Sequence, residues 1–210
     1  MVDDPVQIVA AGYDRVADDY ERLEKVGSEW PRLRRLRELL AGVPKGGAVL
    51  DLGCGNGVPA LREIARRHVA TGVDVSSVQA ERARQNVPEA TVLHADMVET
   101  EVADGSFDAI VSFYAVEHVP RERHAEFFAR LRSWLRPGGS LLFTVEARGT
   151  HDDVVGDWLG APMFFSQFGP EETVELVRGA GFTVESTEIE PQLEGGTEIE
   201  YLWVRARRHQ

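Results

Sequence analysis

With 210 residues, 43% of them hydrophobic and 28% charged, the chain has material for one domain with a sizeable core and too little for two. Its formal net charge of −12 excludes a general nucleic-acid binder, which needs clustered Lys and Arg for phosphate, and argues against anionic membranes. The single cysteine, Cys54, allows no internal disulfide, which fits a reducing compartment. No apolar run reaches membrane-spanning length and Met1-Val2-Asp3-Asp4 does not open a signal peptide, so a cytoplasmic protein is expected. No metal site is expected.

Asp4-Pro5 has the form of an N-cap and a helix-starting proline, and Val6, Val9, Tyr13, Val16 and Tyr20 follow at helical spacing. Pro31 starts a second helix, with Leu33, Leu36, Leu39 and Leu40 as its apolar stripe and Gly42 as its stop. Arg32, Arg34, Arg35 and Arg37 lack interleaved aromatics and read as a solvated face.

Ala48 to Leu52 reads as a short strand buried on both faces. It breaks into Gly53-Cys54-Gly55-Asn56-Gly57, where alternate glycines let the backbone turn sharply and approach a ligand. Pro59 to Arg67 reads as the next helix. A crevice at the carboxyl end of such a strand is where open α/β sheets bind nucleosides. The spacing is not G-x-G-x-x-G, and Asp51 beside the first glycine would repel a pyrophosphate, so a nicotinamide dinucleotide is disfavoured. Ala70 to Asp74 is the second strand, and its terminal acid suits the two hydroxyls of a ribose. Ser76 reads as an N-cap. Thr91 to His94 is a third strand, with His94 structural, and Ala95-Asp96-Met97 follows it.

Phe107 to Phe113 forms the fourth strand and runs into Tyr114-Ala115-Val116-Glu117-His118. His118 is the candidate general base, because imidazole titrates near neutrality, and His151 is a weaker one. A helix over Arg121 to Leu135 leads through Arg136-Pro137-Gly138-Gly139 to a strand over Ser140 to Val145. Residues 147–169 read as a lid with a helix-like start at Asp152 to Leu159, since long insertions in compact domains are usually functional. Pro170 opens the last helix. Phe182 to Ile189 and Ile199 to Ala206 alternate as paired strands joined by Pro191 to Thr197, with Gly195-Gly196 at the turn.

The stretch Asp51-x-Gly53-x-Gly55-x-Gly57, with Asp74, Asp96, the Asp108 strand and Arg136-Pro137-Gly138-Gly139, resembles the class I S-adenosylmethionine-dependent methyltransferases over most of the chain. The resemblance implies an α/β, three-layer Rossmann-like fold with a mostly parallel seven-stranded sheet, order 3-2-1-4-5-7-6, last strand antiparallel. It implies a single domain: capping helices over 1–42, a cofactor-binding core over 43–146, an acceptor lid over 147–169, and a helix with a strand pair over 170–210.

The implied cofactor, S-adenosylmethionine, would meet Asp51, Gly53, Cys54, Gly55, Asn56 and Gly57 in the glycine loop. Asp74 and Val75 would take the ribose, Ala95, Asp96 and Met97 the adenine, and Ser112 and Phe113 the methionine portion. The segment Tyr13-Asp14-Arg15-Val16-Ala17-Asp18-Asp19-Tyr20 is similar to one that caps the cofactor in small-molecule members, placing Tyr13 and Tyr20 over the cofactor or acceptor. With Tyr20, Trp158, Met163 and Phe164 are the expected acceptor contacts.

The expected reaction is in-line methyl transfer to a small molecule. The acidic carboxyl-terminal part, with Asp152, Asp153, Asp157, Glu185, Glu188, Glu190, Glu194, Glu198 and Glu200, suggests a neutral or cationic acceptor. Neither nucleic acid nor membrane is an expected partner, and a monomer or homodimer is. A module of the same fold that binds the cofactor without turnover is the alternative.

Overall fold

The computed structural model describes residues 4–26, 31–194 and 196–209, without the side chains of 23–26. The Met1-Val2-Asp3 segment and the Gly195 turn lie outside the described residues. The central sheet has seven strands. Five run parallel: β1 (Ala48–Leu52), β2 (Val69–Asp74), β3 (Thr91–His94), β4 (Phe107–Phe113) and β5 (Leu135–Glu146), in the order β3-β2-β1-β4-β5. A separate two-stranded sheet, β6 (Thr150–Trp158) and β7 (Ala161–Gln167), follows in the chain. Then β8 (Phe182–Glu194) and β9 (Thr197–Arg208) complete the main sheet, with β9 antiparallel between β5 and β8. The expected order holds when the main sheet is counted alone. The inserted pair makes its last two members the eighth and ninth strands of the chain.

Strand alternation divides the core into two layers. Leu50, Leu52 and Ile110 face one side, where they meet Phe127, Phe128 and Leu131 of α5 (His124–Trp134) and Val177 of α6 (Pro170–Gly179). Val49, Ala109, Val111 and Phe113 face the other. There they meet Leu36 and Leu39 of α2 (Arg32–Leu40), Leu61 and Ile64 of α3 (Ala60–Ala65), and Ala80 and Ala83 of α4 (Ser77–Asn86). Each such Leu or Phe contributes roughly 1.5–3 kcal/mol by leaving water, against a net domain stability of about 5–15 kcal/mol. The layers therefore hold the strand ends, where the site lies, in a fixed frame. The remaining helix, α1 (Pro5–Val26), starts as expected, with the Val6 amide donating to Asp4 Oδ1 at 3.1 Å.

Several expectations change. The helix-like start at Asp152 to Leu159 is strand β6, with Val154 opposite Phe164 and Val155 opposite Met163. Register shifts at Thr150/Asp153 and Val155/Trp158 interrupt the two-residue period and hide the strand from pattern reading. Pro191 lies inside β8, opposite Glu200, because β8 is an edge strand where a missing amide is tolerated. The two strands therefore continue to the hairpin tip. His94 is exposed at the end of β3, with Nε2 3.0 Å from the Val75 carbonyl. The α2 arginines do more than face water: Arg35 reaches Glu188 at 2.7 Å and Glu190 at 2.6 Å, packing 4.9 Å from the Trp203 ring. Arg34 also reaches Glu190, and Arg205 and Arg207 hold Glu185. Glu185, Glu188 and Glu190 are thus paired with arginines across space.

Candidate functional site

The chain turns at the end of β1 through three glycines with positive φ: Gly53 at 71°, Gly55 at 55° and Gly57 at 80°. Side chains rarely adopt that conformation. A Cβ on Gly53 would stand 2.4 Å from the Ala115 Cβ, whereas one on Gly55 would meet nothing within 4 Å. Asp74, at the end of β2, ties this loop down: Oδ2 accepts the Gly55 amide at 2.8 Å and Oδ1 the Ser76 amide at 2.9 Å. Burial pushes its carboxyl up to about 6 against those two bonds. Each oxygen keeps a further lone pair for a ligand.

A cavity of about 270 Å³ opens over the loop. Gly53, Gly55, Asp74 and Val75 line it from below, and Ala95, Asp96 and Met97 at one end. Phe113, Tyr114 and His118 line it from the end of β4, and Val9, Tyr13 and Tyr20 from α1. Asp96 accepts the Val98 amide through Oδ1 at 2.9 Å, and burial raises its carboxyl. Two acceptor-only carboxylates, a thioether beside one of them and a loop without side chains match a nucleoside with hydroxyl and amino donors. These residues therefore fit S-adenosylmethionine.

Other expected contacts do not reach the cavity wall. Asp51 is buried at the end of β1. The Cys54 Sγ lies 2.8 Å from the place a Gly72 side chain would occupy. Burial, with the charges of Asp74 and Asp51, raises its thiol well above the ordinary value. It fills a tight contact between loop and β2. Asn56 shapes the turn, its Oδ1 accepting the Val58 amide at 2.9 Å. Gly57 permits close approach of α4, a Cβ there falling 3.0 Å from Val87 Cγ2. Ser112 donates to the Leu52 carbonyl at 3.0 Å, clipping β4 to β1.

The inserted hairpin packs on α1. Met163 and Phe164 are buried with Val9 in a small core, which takes their side chains away from the cavity. Trp158 sits beside both tyrosines, its ring 5.4 Å from Tyr13 and 5.8 Å from Tyr20. His151 is exposed on β6. His118 joins cavity and hairpin: Nδ1 lies 2.7 Å from the Phe164 carbonyl and Nε2 2.8 Å from the Tyr13 hydroxyl. A carbonyl only accepts, so Nδ1 carries the proton and Nε2 accepts from Tyr13. Burial pushes His118 down to about 4, against the Phe164 bond.

Three positioning residues escaped the sequence reading. Asp14 accepts from the Ser76 hydroxyl at 2.6 Å, the Ser77 hydroxyl at 3.1 Å and the Val78 amide at 3.1 Å, docking α1 on the start of α4. Burial raises its carboxyl, but the bonds from Ser76, Val78 and Ser77 outweigh it and hold the value low. Asp14 lies within the segment similar to a cofactor cap, which was the available signal. Gly12 lets α1 touch the hairpin, since a Cβ would fall 2.7 Å from Met163 Cε and 2.8 Å from the Pro162 oxygen. Tyr114 turns the chain out of β4 at φ 55°. Neither of the last two left a local signal.

Residues 49–139 match the model of a family described as a methyltransferase domain. The chain is 30% identical over 194 residues to the 27-O-demethylrifamycin SV methyltransferase of Amycolatopsis mediterranei, covering 82% of this chain and 65% of that one. It is 33% identical over 141 residues to a probable S-adenosylmethionine-dependent methyltransferase of Mycolicibacterium smegmatis, covering 66% and 53%. The chain thus spans about half to two thirds of the length of these curated relatives. Among solved structures, the fold is shared with the DhpI–SAH complex at a TM-score of 0.74 and 22% identity, over 97% of each chain. The stretch from β1 into β5 is thus similar to a methyltransferase domain, and the chain as a whole has the α/β three-layer fold of its solved neighbours.

Proposed function

We propose that this protein methylates a small-molecule acceptor, neutral or cationic, using S-adenosylmethionine. The observation that carries the reading is the joint lining of one cavity by Gly55, Asp74, Asp96 and the α1 tyrosines. When bound, the cofactor would supply an activated methyl group for displacement by an acceptor lone pair. Asp74 would hold the ribose hydroxyls, and Asp96 an amino hydrogen of the adenine. Tyr13, Tyr20 and Trp158 exclude water and orient the acceptor. Met163 and Phe164 support that wall from behind by fixing the hairpin on α1. His118 acts through Tyr13, holding its hydroxyl and taking a proton by that route when the acceptor must lose one. The name of the rifamycin relative supports a small-molecule acceptor.

Calorimetric titration with S-adenosylmethionine, S-adenosylhomocysteine and NAD, on wild type and Asp74→Ala, tests the cofactor site. The two sulfur nucleosides bind and NAD does not, and the variant loses about tenfold or more in affinity. Folded protein that binds neither sulfur nucleoside ends the proposal. Binding without methylated product across a broad acceptor screen favours the non-catalytic module.

A further inference from the structure

On the Tyr114 side of the cofactor cavity, the ends of three strands gather groups that cofactor binding does not use. Glu117 lies in the 3-10 turn Val116–His118 after β4, Glu146 ends β5 and Glu194 ends β8. Glu146 stands opposite Tyr201 in the β5–β9 ladder. The Tyr201 hydroxyl donates to Glu194 Oε1 at 2.7 Å. The Tyr201 ring meets Tyr114 edge-on at 4.9 Å, and Tyr114 lines the cofactor cavity. Gln192 and Glu194 are two apart on β8 and share a face. The carbonyl oxygen of Gln192 accepts the Tyr114 hydroxyl at 2.7 Å. Two tyrosines thus link the cofactor cavity to a cluster of three carboxylates and one carboxamide.

Two of these groups call for a ligand. Glu117 and Gln192 are each only 5% exposed, and neither Glu117 Oε2 nor Gln192 Nε2 has a hydrogen-bond partner among the described residues. Buried polar groups are normally satisfied. Burial also pushes the Glu117 carboxyl up to about 8, with Glu194 and Glu146 adding repulsion, and burial raises Glu194 and Glu146 as well. Arg32 lies over the Tyr114 ring, Arg35 bonds Glu188 and Glu190, and Arg148 approaches Glu146 alone, at 3.9 Å from the solvent side.

The geometry points to an acceptor subsite for a small organic cation, its protonated amine between Glu117 and Glu194, its carbon frame against Tyr114 and Tyr201, and an oxygen of its own taking the Gln192 amide. The subsite rests on the methyltransferase reading, because it places the acceptor against the wall it shares with the cofactor. A bound ammonium relieves the repulsion among the three acids.

The test uses the full chain and a panel of small amines, including tyramine, glucosamine and spermidine. Each amine is paired with its N-acetyl derivative and with a carboxylic acid of similar shape. Each compound is titrated calorimetrically into the S-adenosylhomocysteine complex and incubated with S-adenosylmethionine, with methylated product read by mass. At least one amine is expected to bind about tenfold tighter than its acetylated partner. Glu117→Gln and Glu194→Gln, which keep side-chain shape, each lose about tenfold of that preference while binding S-adenosylhomocysteine within about twofold of wild type. The inference is overturned if no amine outbinds its neutral or acidic partner, or if the preference survives both variants. It is equally overturned if the variants weaken S-adenosylhomocysteine instead, which would assign the acids to the cofactor's own ammonium. Wild type that binds no S-adenosylhomocysteine removes the methyltransferase reading, and amine titration of the uncomplexed protein then decides the subsite alone.

Discussion

The Tyr13 hydroxyl donates to His118 Nε2 at 2.8 Å, across 105 residues of chain, while the other ring nitrogen of His118 donates to the Phe164 carbonyl at 2.7 Å. One neutral imidazole thereby links the amino-terminal helix, the end of β4 and the inserted hairpin. Its lone pair is already engaged by a phenol, so it does not face an acceptor as a bare base.

This arrangement sets a sign for pH dependence. The folded value of about 4 lies below the ordinary 6.5, so the unfolded chain takes up the proton first. The stability His118 contributes is complete above the ordinary value and is lost as pH falls through 6.5 towards 4. Long-range nitrogen–proton NMR at neutral pH is expected to show the Nδ1–H tautomer, with a midpoint near 4. Tyr13→Phe removes a donor that favours the neutral ring, so the midpoint moves up and stability falls by about 1–3 kcal/mol. A midpoint near 6.5 in wild type would contradict the geometry.

Glu117 behaves oppositely. Its folded value of about 8 lies above the ordinary 4.5 because of burial and the charges of Glu194 and Glu146. The folded chain therefore keeps the proton longer, and the associated stability is lost as pH rises from 4.5 through 8. Glu117→Gln cannot ionise. Its stability relative to wild type, without ligand, should climb across that window, reaching an advantage on the order of a few kcal/mol on the alkaline side, read as a rising Tm difference. Parallel Tm profiles for the two proteins would refute the buried, raised carboxyl.

Gly12 and Gly179 make a matched pair on helices. Gly12→Ala drives a Cβ to 2.7 Å from Met163 Cε and 2.8 Å from the Pro162 oxygen. Because one neighbour is backbone, the cost is about 1–3 kcal/mol, and the displaced α1 weakens S-adenosylhomocysteine binding through Tyr13 and Tyr20. Gly179→Ala, at the end of α6, meets nothing within 4 Å and should stabilise by up to about 1 kcal/mol. Chemical denaturation with calorimetry checks both.

The parts of this protein legible in its sequence are those whose cause is local. The strand-turn-helix at Leu52 to Gly57 announces itself because buried strands are short apolar runs and positive φ selects glycine. The acids at and just after the ends of β2 and β3, Asp74 and Asp96, are visible because strand ends are. Ser76 was read as a cap, and the Gln79 amide does donate to it at 3.1 Å. The hairpin was misread because two register shifts break the alternation that marks a strand.

Only the tertiary structure decided which named residues face the cavity. Cys54, Asn56 and Ser112 share the loop and strand ends with Gly55 and Phe113, yet their side chains turn into packing, turn and clip contacts, while Gly57 leaves room for α4. Tertiary structure likewise placed Gly12 under Met163, Asp14 on Ser76, and Glu117 near Glu146 and Glu194. Amino-acid type and spacing specify backbone conformation and which face of an element is apolar. Proximity between distant segments, and the desolvation that shifts His118 and Glu117, arise only when helices and strands pack, since burial belongs to the assembled layers and to no single stretch of chain.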